Sequence, residues 1–499
     1  MEASKPIADT ASFHARYLGL GLFWACHMLT VRSSTLMHGS TASVAMATVC
    51  TIASFLSTMT ALLLISSRIE RDGAALTHLP WQPFVISSMV GLSGILASGL
   101  IANTRIAAIA LMGSAVLAGI GFGYLWGCWA NCLGRMHPSR VAFAVPVAFL
   151  FSAALYLAIS IMTEQGLLAA SIFAISLPLL SMMCLLRCRE KDCGNAPFDN
   201  EPARAHKALG SLASLIIACI IMSTLMGFLW EITMLTRQSV TDAHRLPLIA
   251  NLVVAAALSI FVAISRRSID LGLAFKAVVP VVAVVLFAMP VFGESNPLLL
   301  NTAMTACFWT INMVVWYSVA TAAYDYNVSG FVLGGVMFAL ILITRILGIG
   351  LGYLFWLIPD TPALLFAGIS AAMLYLLAMT VFFHRRHQNG IILGHTEISL
   401  DAKAADAPEP EPAAAGSQDA QDARASQATE DALESFAREF GLTRRESEVL
   451  PYLAKGRSAK VIAEALFVSE PTIRTHTRRI LEKADLHSKQ ELISLLERY

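Results

Sequence analysis

The chain has 499 residues, of which 56% are hydrophobic and 14% are charged, and its formal net charge is +1. A composition this apolar excludes a protein that is soluble along its whole length, so most of the chain is expected to lie in lipid. The small net charge hides a segregation, because residues 1–383 are mostly apolar runs, while charged side chains are concentrated in the loops and the C-terminal tail.

Apolar runs of about 20 residues, the length that spans a bilayer, predict twelve transmembrane helices. They form two sets of six, in residues 1–186 and 211–386, separated by a polar loop at 187–210. The predicted fold is therefore all-α, with a six-plus-six membrane bundle. The expected spans lie near residues 17–37, 41–66, 81–101, 106–129, 141–162, 167–186, 211–235, 246–264, 273–292, 298–322, 331–358 and 363–383.

Basic residues predict the orientation of this bundle. If the N-terminus is cytoplasmic, fifteen Lys and Arg lie on the inner side of the membrane and four on the outer side. This excess of positive charge on the cytoplasmic side is typical of proteins of the inner (plasma) membrane. Both termini are then cytoplasmic. The inner set is Lys5, Arg16, Arg68, Arg71, Arg135, Arg140, Arg187, Arg189, Lys191, Arg204, Lys207, Arg266, Arg267, Arg385 and Arg386; the outer set is Arg32, Arg105, Arg237 and Arg245.

Twelve helices split by a central cytoplasmic loop resemble the major facilitator superfamily. The resemblance implies a transporter-like bundle, but the loop between the second and third spans, SSRIERDGAALTHLP, departs from the family pattern. It keeps Arg68, Arg71 and Asp72 and lacks the leading glycine and the trailing basic run that gate transport. We therefore expect a transporter fold that works as a sensor, with an active secondary transporter as the alternative.

Ionisable side chains inside the predicted spans are costly in lipid, so they are expected to face the bundle interior. Glu231 and Arg345 are candidate ligand-binding residues, with a structural ion pair as the alternative. Lys276 lies near the end of its span, where snorkelling explains it. Four aromatic residues of these spans could line a cavity, and packing between helices is the alternative: Trp230, Trp309, Trp316 and Tyr317. Of these, Trp316 is a candidate ligand contact.

Two glycine series predict close helix packing, since a small residue at every fourth position lets two backbones approach each other. They are Gly119, Gly123 and Gly127 in the fourth span, and Gly348 and Gly352 in the eleventh.

The nine cysteines form neither a disulfide framework nor a complete metal-ligand pattern. Seven lie in or beside apolar spans, and Cys188 and Cys193 lie on the central loop. The sequence also lacks a phosphate-binding loop, a zinc-protease motif and a nucleophile elbow. We therefore predict no enzyme activity, no cofactor and no metal site.

The composition of residues 387–437 predicts a disordered, acidic linker. From 401 to 437 bulky apolar residues are nearly absent, and nine acidic residues accompany two basic ones. The stretch that follows, 438–499, has twelve Lys and Arg against nine Asp and Glu. A flexible linker of this length would let the C-terminal domain move away from the membrane surface.

Capping signals divide residues 438–499 into short helices. Thr443 with Glu446 has the spacing of a capping box and predicts a helix that ends at about Ala454. Ser458 predicts the start of a second helix, which ends near Leu466. A third helix begins only a few residues later, and two helices joined by so short a turn form a helix-turn-helix.

The third helix is predicted to begin at Ser469, with Pro471 tolerated in its first turn. The guanidinium groups of Arg474, Arg478 and Arg479 lie within two helical turns and repel one another. The phosphates and guanine edges of a DNA major groove would bind all three. A solvated basic face is the alternative. At helical spacing the apolar face holds Ile473, Thr477, Ile480 and Ala484, and the opposite face holds Arg474, Thr475, Arg478 and Arg479.

This stretch resembles the DNA-binding domain of the LuxR-type transcriptional regulators of bacteria, a four-helix helix-turn-helix domain. The resemblance is long and specific, with two mild departures, Ala484 and Lys489. It is carried by Leu442-Thr443, Arg445-Glu446, Val449-Leu450, Gly456, Ile462-Ala463, Leu466, Ser469, Thr472-Ile473-Arg474 and His476.

The resemblance implies roles for individual residues. Arg474, Thr475 and Arg478 would contact bases, and Thr472, Arg479 and Lys489 would lie nearer the DNA backbone. The last helix, capped by Ser488 and Glu491, would pair two copies of the domain on DNA. For His476 a packed, hydrogen-bonded histidine is expected, with no metal-binding or catalytic role.

The chain is thus predicted to be a membrane-anchored transcriptional regulator, whose bundle senses an unknown small molecule and controls a DNA-binding domain. Two alternatives remain open. One is an active secondary transporter that carries a tethered regulatory domain, and the other is a regulator released by proteolysis of the linker.

Overall fold

The computed structural model divides into two compact units, Met1–Ala378 and Met379–Tyr499. Every regular element in its described residues is a helix, so the all-α prediction is confirmed for them. These residues are 14–29, 44–72, 79–98, 100–101, 104–165, 168–191, 202–237, 240–265, 271–292, 295–357, 368, 371–372, 432–466, 468, 470–486 and 488–496.

The first half of the bundle contains six helices in the described residues, preceded by a short 3-10 turn at Ala15–Tyr17. Most are continuous through their whole apolar run, and α5 and α6 each contain an internal proline. They are α1 Leu18–Met28, α2 Val44–Asp72, α3 Gln82–Ser98, α4 Thr104–Leu133, α5 Pro138–Glu164 and α6 Leu168–Lys191.

The second half begins with a short helix and continues with five long ones in the described residues. They are α7 Pro202–Ser211, α8 Ala213–Arg237, α9 Val240–Ser265, α10 Leu271–Phe292, α11 Pro297–Tyr326 and α12 Gly330–Trp356.

Each of the first eleven predicted spans overlaps one of these helices, and several helices extend beyond the predicted span. The twelfth, 363–383, lies almost entirely outside the described residues, so its helix stays a prediction. Within those residues, eight helices are long and apolar enough to cross a bilayer. The chain is a multi-pass membrane protein.

The predicted central loop, 187–210, is in part helical, which corrects the boundaries expected from its polarity. Residues 187–191 form the last turn of α6, and α7 starts at Pro202. Ala208 is fully buried, while His206 and Lys207 are exposed. A helix with one apolar face needs few apolar residues, so a mean polarity taken over the whole loop did not reveal it.

The two halves meet along several helix pairs. The contact runs between α2 and α12, between α4 and α12, and between α5 and α9. Near the turn between α11 and α12, the Ser329 hydroxyl donates to Asn131 Oδ1 at 3.1 Å. The Ser66 hydroxyl donates to the carbonyl oxygen of Phe331 at 3.4 Å. These bonds satisfy polar groups inside an apolar interface, where a lost partner is costly.

Both glycine series allow the close packing that the sequence predicts. A Cβ at Gly348 would lie 2.0 Å from the Thr224 carbonyl oxygen, and one at Gly352 would lie 2.9 Å from that of Phe228, so α12 packs directly on the backbone of α8. On α4, a Cβ at Gly123 would lie 2.6 Å from a carbonyl oxygen of α2. Glycine is required here because the neighbouring atoms belong to backbone and cannot rotate away.

The C-terminal unit contains the head, which we define as residues 432–499. Its helices are α13, residues 432–439, then α14 Arg444–Ala454, α15 Ala459–Leu466, α16 Glu470–Lys483 and α17 Lys489–Leu496. They enclose a core of their own, formed by Phe436, Val449, Leu450, Leu453, Ile462, Ala463, Leu466, Ile473, Ile480, Ala484 and Leu492.

The start of the head corrects the predicted linker boundary at 437. Residues 432–439 are helical, and Phe436 is fully buried and stacks on Phe440, with ring centroids 4.5 Å apart. Within the predicted linker this helix has only Leu433 and Phe436 as bulky apolar residues, too few to change a compositional prediction. The rest of the predicted linker, 387–431, lies outside the described residues.

Replacing Gly348 with alanine tests the packing of α12 on α8. The added Cβ would overlap the Thr224 carbonyl oxygen, so the bundle should lose about 1–3 kcal/mol of stability. The matched control is Gly350→Ala, whose Cβ meets no described atom within 4 Å. Thermal unfolding of the detergent-purified chain should give a lower Tm for Gly348→Ala alone, and equal Tm values for both variants would contradict the packing.

Candidate functional site

The start of α14 is closed by the predicted capping box. The Thr443 backbone N–H donates to Glu446 Oε2 at 2.7 Å, and the Glu446 N–H donates to Thr443 Oγ1 at 3.4 Å. These bonds satisfy donors that a helix start otherwise leaves without partners. The direction in which the chain enters α14 is therefore fixed by two side chains three positions apart.

The end of α14 is fixed by Gly456, whose φ of +72° lies in the left-handed region. Its N–H donates to the Leu453 carbonyl at 3.0 Å, and the Arg457 N–H donates to the Tyr452 carbonyl at 3.0 Å. These are the two bonds of a Schellman motif. Glycine adopts this backbone conformation without the strain that a side chain would add, so the chain turns sharply into α15.

The helix α16 has one buried and one exposed face, as the sequence predicts. Ile473 and Ile480 are fully buried, and Ala484 is nearly so. Thr477 is half-buried, and its hydroxyl donates to the Ile473 carbonyl within the helix. Because the isoleucines fix the inner face, the basic face can only point outward. The exposed residues are Arg474, Thr475, Arg478 and Arg479.

Lys483 joins the end of α16 to the start of α14. Its Nζ donates to Glu446 Oε2 at 2.7 Å and to the Gly441 carbonyl at 2.8 Å. Burial raises the pKa of the Glu446 carboxyl, but the bonds from Lys483 and Thr443 outweigh burial and hold it below its usual value. The same carboxylate therefore caps α14 and orients α16.

Sequence reasoning missed this contact. Lys483 and Glu446 are 37 positions apart, and no local pattern relates them. The available signal was a lysine in the last turn of a helix, which is explained equally well by the helix dipole.

Arg445 and His476 bring two ionisable side chains into the head interior. Arg445 is fully buried, and its Nη1 donates to Glu448 Oε2 at 2.6 Å. His476 is 6% exposed, and among the described residues neither ring nitrogen has a hydrogen-bond partner. Burial lowers the pKa of His476 to about 4, and the Arg445 guanidinium contributes to this shift.

The predicted packing of His476 is confirmed, and its predicted hydrogen bond is wrong. The ring is spaced along α16 with Ile473 and Ile480, so it belongs to the buried, apolar face. A histidine held there is neutral, and its protonation would place a second cation beside Arg445.

Among the predicted DNA contacts, Arg478 and Lys489 make interactions within the head. The Arg478 guanidinium pairs with Glu482 one turn along α16, with 62% and 55% of the two side chains exposed. An exposed pair of this kind is worth about 0–1 kcal/mol, so a phosphate or base edge can replace Glu482. Lys489 Nζ donates to the Arg457 carbonyl at 2.6 Å, and burial lowers the pKa of its ammonium group. Thr472 is half-buried.

In the bundle, Glu231 of α8 lies where the two halves meet. It is fully buried, and the Thr48 hydroxyl of α2 donates to its Oε1 at 2.7 Å. Gly352 of α12 leaves room for it, since a Cβ there would lie 2.9 Å from Glu231 Cβ. A carboxyl group at this depth requires hydrogen bonds, and Glu231 obtains one across the contact between the halves.

Arg345 of α12 lies between aromatic rings of both halves. Its Cζ is 5.7 Å from the ring centroid of Phe55 on α2 and 5.2 Å from that of Phe308 on α11. Both distances are in the range of a cation–π interaction. Glu231 and Arg345 therefore both contact α2 from the second half. The side chain of Lys276 lies outside the described residues.

Trp316 of α11 belongs to an aromatic cluster that spans the two halves. Its ring centroid is 4.7 Å from that of Phe338 and 6.2 Å from that of Trp24. Trp24 and Trp126 also contact each other, at 5.2 Å. The aromatic cluster consists of Trp24, Trp126 and Phe149 from the first half and Trp309, Trp316 and Phe338 from the second.

Metal binding finds no support in the part of the chain that the structure describes. No group of three or more His, Cys, Asp or Glu there is placed to hold an ion. The eight cysteines in those ranges are free thiols, and most are buried.

Comparison with protein families assigns the head. Residues 441–496 match the family described as bacterial regulatory proteins, luxR family. The head is a LuxR-type helix-turn-helix domain. Similar proteins include the oxygen regulatory protein NreC of Staphylococcus haemolyticus (strain JCSC1435), which is 52% identical over 52 residues, and that of Staphylococcus carnosus (strain TM300), 50% identical over 52 residues. Each match covers 10% of this chain, and the chain spans about a quarter (24%) of the length of these curated relatives.

Structural neighbours of the membrane part include transporters. A bacterial homologue of the iron transporter ferroportin, in an outward-facing state, has a TM-score of 0.50 at 13% identity and covers 74% of this chain and 98% of that one. The human organic anion transporter MFSD10 (TETRAN) has a TM-score of 0.47 at 15% identity, covering 75% and 100%. The major facilitator superfamily transporter FucP has 0.46 at 13%, covering 73% and 97%.

At such low identity the likeness to the ferroportin homologue shows the fold alone. The chain thus joins a LuxR-type DNA-binding regulator domain to a transporter-like membrane domain.

The buried His476 should make head stability depend on pH. Its folded pKa of about 4 is below the unfolded value, so its contribution is fully present above about pH 6.5 and is lost as the pH falls towards 4. From about pH 7 to pH 5 this residue alone should cost about 2 kcal/mol.

Denaturant unfolding of a fragment of residues 425–499, which contains the whole head core, measures this loss. His476→Leu should flatten the dependence of the unfolding free energy on pH in this window. An unchanged pH dependence in the variant would contradict a buried neutral histidine.

Proposed function

We propose that the chain is a membrane-anchored transcriptional regulator, in which the bundle senses a small molecule and thereby controls DNA binding by the head. The observation that carries this proposal is the two-faced helix α16. Its isoleucines are fully buried, and its arginines are exposed on the opposite side of a LuxR-type domain. Exposed guanidinium groups in this arrangement fit the phosphates and base edges of double-stranded DNA.

The proposed contacts follow the exposure of each residue. Arg474, Thr475 and Arg478 project from the outer face of α16 and would contact base edges in the major groove. Thr472, Arg479 and Lys489 would contact the DNA backbone, and Lys489 would exchange its bond to the Arg457 carbonyl for one to a phosphate.

We assign pairing of two heads to α17, so that a dimer would read two half-sites. The Ser488 hydroxyl accepts from the Glu491 N–H at 3.2 Å and caps this helix. Two linked heads bind DNA more tightly than one, because the second head is held at a high effective concentration.

For the bundle we propose ligand contacts from Glu231, Arg345 and Trp316. All three touch a helix of the other half, so a molecule bound among them would favour one arrangement of the halves. A ligand shifts such an equilibrium only by binding one state more tightly than the other. The fifteen-to-four charge bias supports an inner-membrane location with both termini in the cytoplasm, where the head meets the chromosome.

Substitutions on the outer face of α16 test the DNA contacts. Arg474→Ala and Arg478→Ala should each cost about 1–3 kcal/mol at the specific site and relax base preference, because each removes a base contact. Lys489→Ala should weaken binding to all sequences alike. The matched control is Arg438→Ala, an exposed arginine on α13 that pairs with Glu434.

Titrations of the purified full chain against its promoter fragment and random duplex, at fixed physiological salt, measure both effects. The control should bind like the native chain. Unchanged specific binding in both Arg474→Ala and Arg478→Ala would refute the assignment of the reading face.

The two alternatives give different outcomes. Gradient-driven accumulation of a solute in proteoliposomes would identify an active transporter. A soluble C-terminal fragment of about ten kilodaltons, seen only under inducing conditions, would identify release by proteolysis. For a sensor that remains intact we expect neither.

A further inference from the structure

The aromatic cluster contains an unusual number of buried polar atoms without partners. Trp24, Trp126 and Trp316 are 4%, 3% and 1% exposed, and among the described residues none of their indole N–H groups has a hydrogen-bond acceptor. A buried indole normally finds one, because an unmade bond costs about 1–3 kcal/mol. Three such donors lie within a single cluster of rings.

A neighbouring tryptophan shows that this chain can satisfy a buried indole. Trp129, one turn after Trp126 on α4, is fully buried, and its Nε1 donates to Ser181 Oγ at 3.0 Å. The Ser181 hydroxyl in turn donates to the Gly19 carbonyl at 2.7 Å. Of these two tryptophans of α4, Trp129 has a hydrogen-bond acceptor for its indole N–H, and Trp126, which belongs to the aromatic cluster, has none.

Two further side chains, His27 and Arg345, lie beside the cluster. His27 contacts Trp126 and Trp24, with ring centroids 5.0 Å and 5.6 Å away, and it stacks on Phe55 at 6.3 Å. Arg345 also contacts Phe55, with its Cζ 5.7 Å from that ring centroid, and it contributes a positive charge. Glu231 accepts a hydrogen bond from the Thr48 hydroxyl where the two halves meet.

We infer that the aromatic cluster is a binding site for a planar aromatic molecule that carries a carboxylate or a similar acceptor group. The ring would stack among Trp24, Trp316 and Phe338, and the acceptor would take the indole N–H groups with Arg345 nearby. This inference rests on the proposed sensing function, for which it names the ligand class.

The geometry also explains how such a ligand acts on the bundle. Trp24 and Trp126 belong to the first half and Trp316 to the second, so a molecule that takes hydrogen bonds from all three joins the halves. The unmet donors raise the free energy of the empty closed cluster. A ligand that satisfies them therefore stabilises one arrangement of the halves over the other.

Three probes of similar size test the ligand class on the detergent-purified full chain by calorimetric titration. Phenylpropionate has the ring and the carboxylate, cyclohexylpropionate lacks the aromatic ring, and phenethylamine replaces the acceptor with a cation. We expect phenylpropionate to bind at least about tenfold more tightly than either of the others. Equal binding of phenylpropionate and phenethylamine, or no binding of phenylpropionate, overturns the inference.

Matched variants on α4 and α11 separate binding from folding. Trp126→Phe and Trp316→Phe keep a ring and remove a donor without a partner, so each should weaken phenylpropionate about tenfold without lowering the Tm of the empty chain. Trp129→Phe removes a satisfied donor, so it should lower the Tm and leave phenylpropionate binding unchanged. Equal effects of the Trp126 and Trp129 variants on binding contradict the site.

These titrations contain no DNA, so they are independent of the head. A head that fails to bind DNA would refute the proposed regulator and leave the probe result standing. Conversely, a regulator that binds DNA while its bundle ignores phenylpropionate would refute only the ligand class.

Discussion

The burial of one face of α16 is the constraint on which the function of the head depends. Ile473 and Ile480 are fully enclosed, and burying each is worth about 1.5–3 kcal/mol. Rotating the helix to hide its arginines would lose this energy and would bury charge without partners. The arginines therefore stay outside. Lys483 then fixes the end of the helix on Glu446, so that the orientation and the position of α16 are set by separate contacts.

In the head the charged side chains lie outside, whereas in the bundle the solvent is lipid, so polar groups need hydrogen-bond partners inside the protein. Glu231 accepts a hydrogen bond from Thr48, and Ser329 donates one to Asn131. Each of these bonds joins one half of the bundle to the other. Glycines in α12 bring its backbone against α8. Polar contacts across a seam of this kind can exist in one arrangement of the halves and be absent in another, which makes them suitable for a sensor.

Local features of the fold could be predicted from sequence. The capping box at Thr443, the break at Gly456 and the two faces of α16 depend on residues within four or five positions of one another. Apolar runs likewise located eleven helices, because the length and composition of a span are local properties. The roles of the outer-face residues in DNA binding, and of Glu231, Arg345 and Trp316 in ligand binding, remain predictions.

Contacts between distant residues could not be predicted. Nothing in the sequence relates Lys483 to Glu446, or brings Trp24, Trp126 and Trp316 of three helices into one cluster. The helix at 432–439 was missed because Phe436 is stabilised by a core that forms only when the later helices pack around it. A segment with few bulky apolar residues has the composition of a linker, and only the structure shows which of those residues are buried.

Chromatin immunoprecipitation of the full-length chain from its own cells is the most direct test of a membrane-anchored DNA-binding regulator. A positive result requires that the head lies on the chromosome side of the membrane and that α16 binds DNA while the bundle is attached. We expect enrichment of discrete promoter regions, and its loss when Arg474 and Arg478 are both replaced by alanine. Uniform recovery of the chromosome by the native chain, with no region enriched, would contradict the central claim.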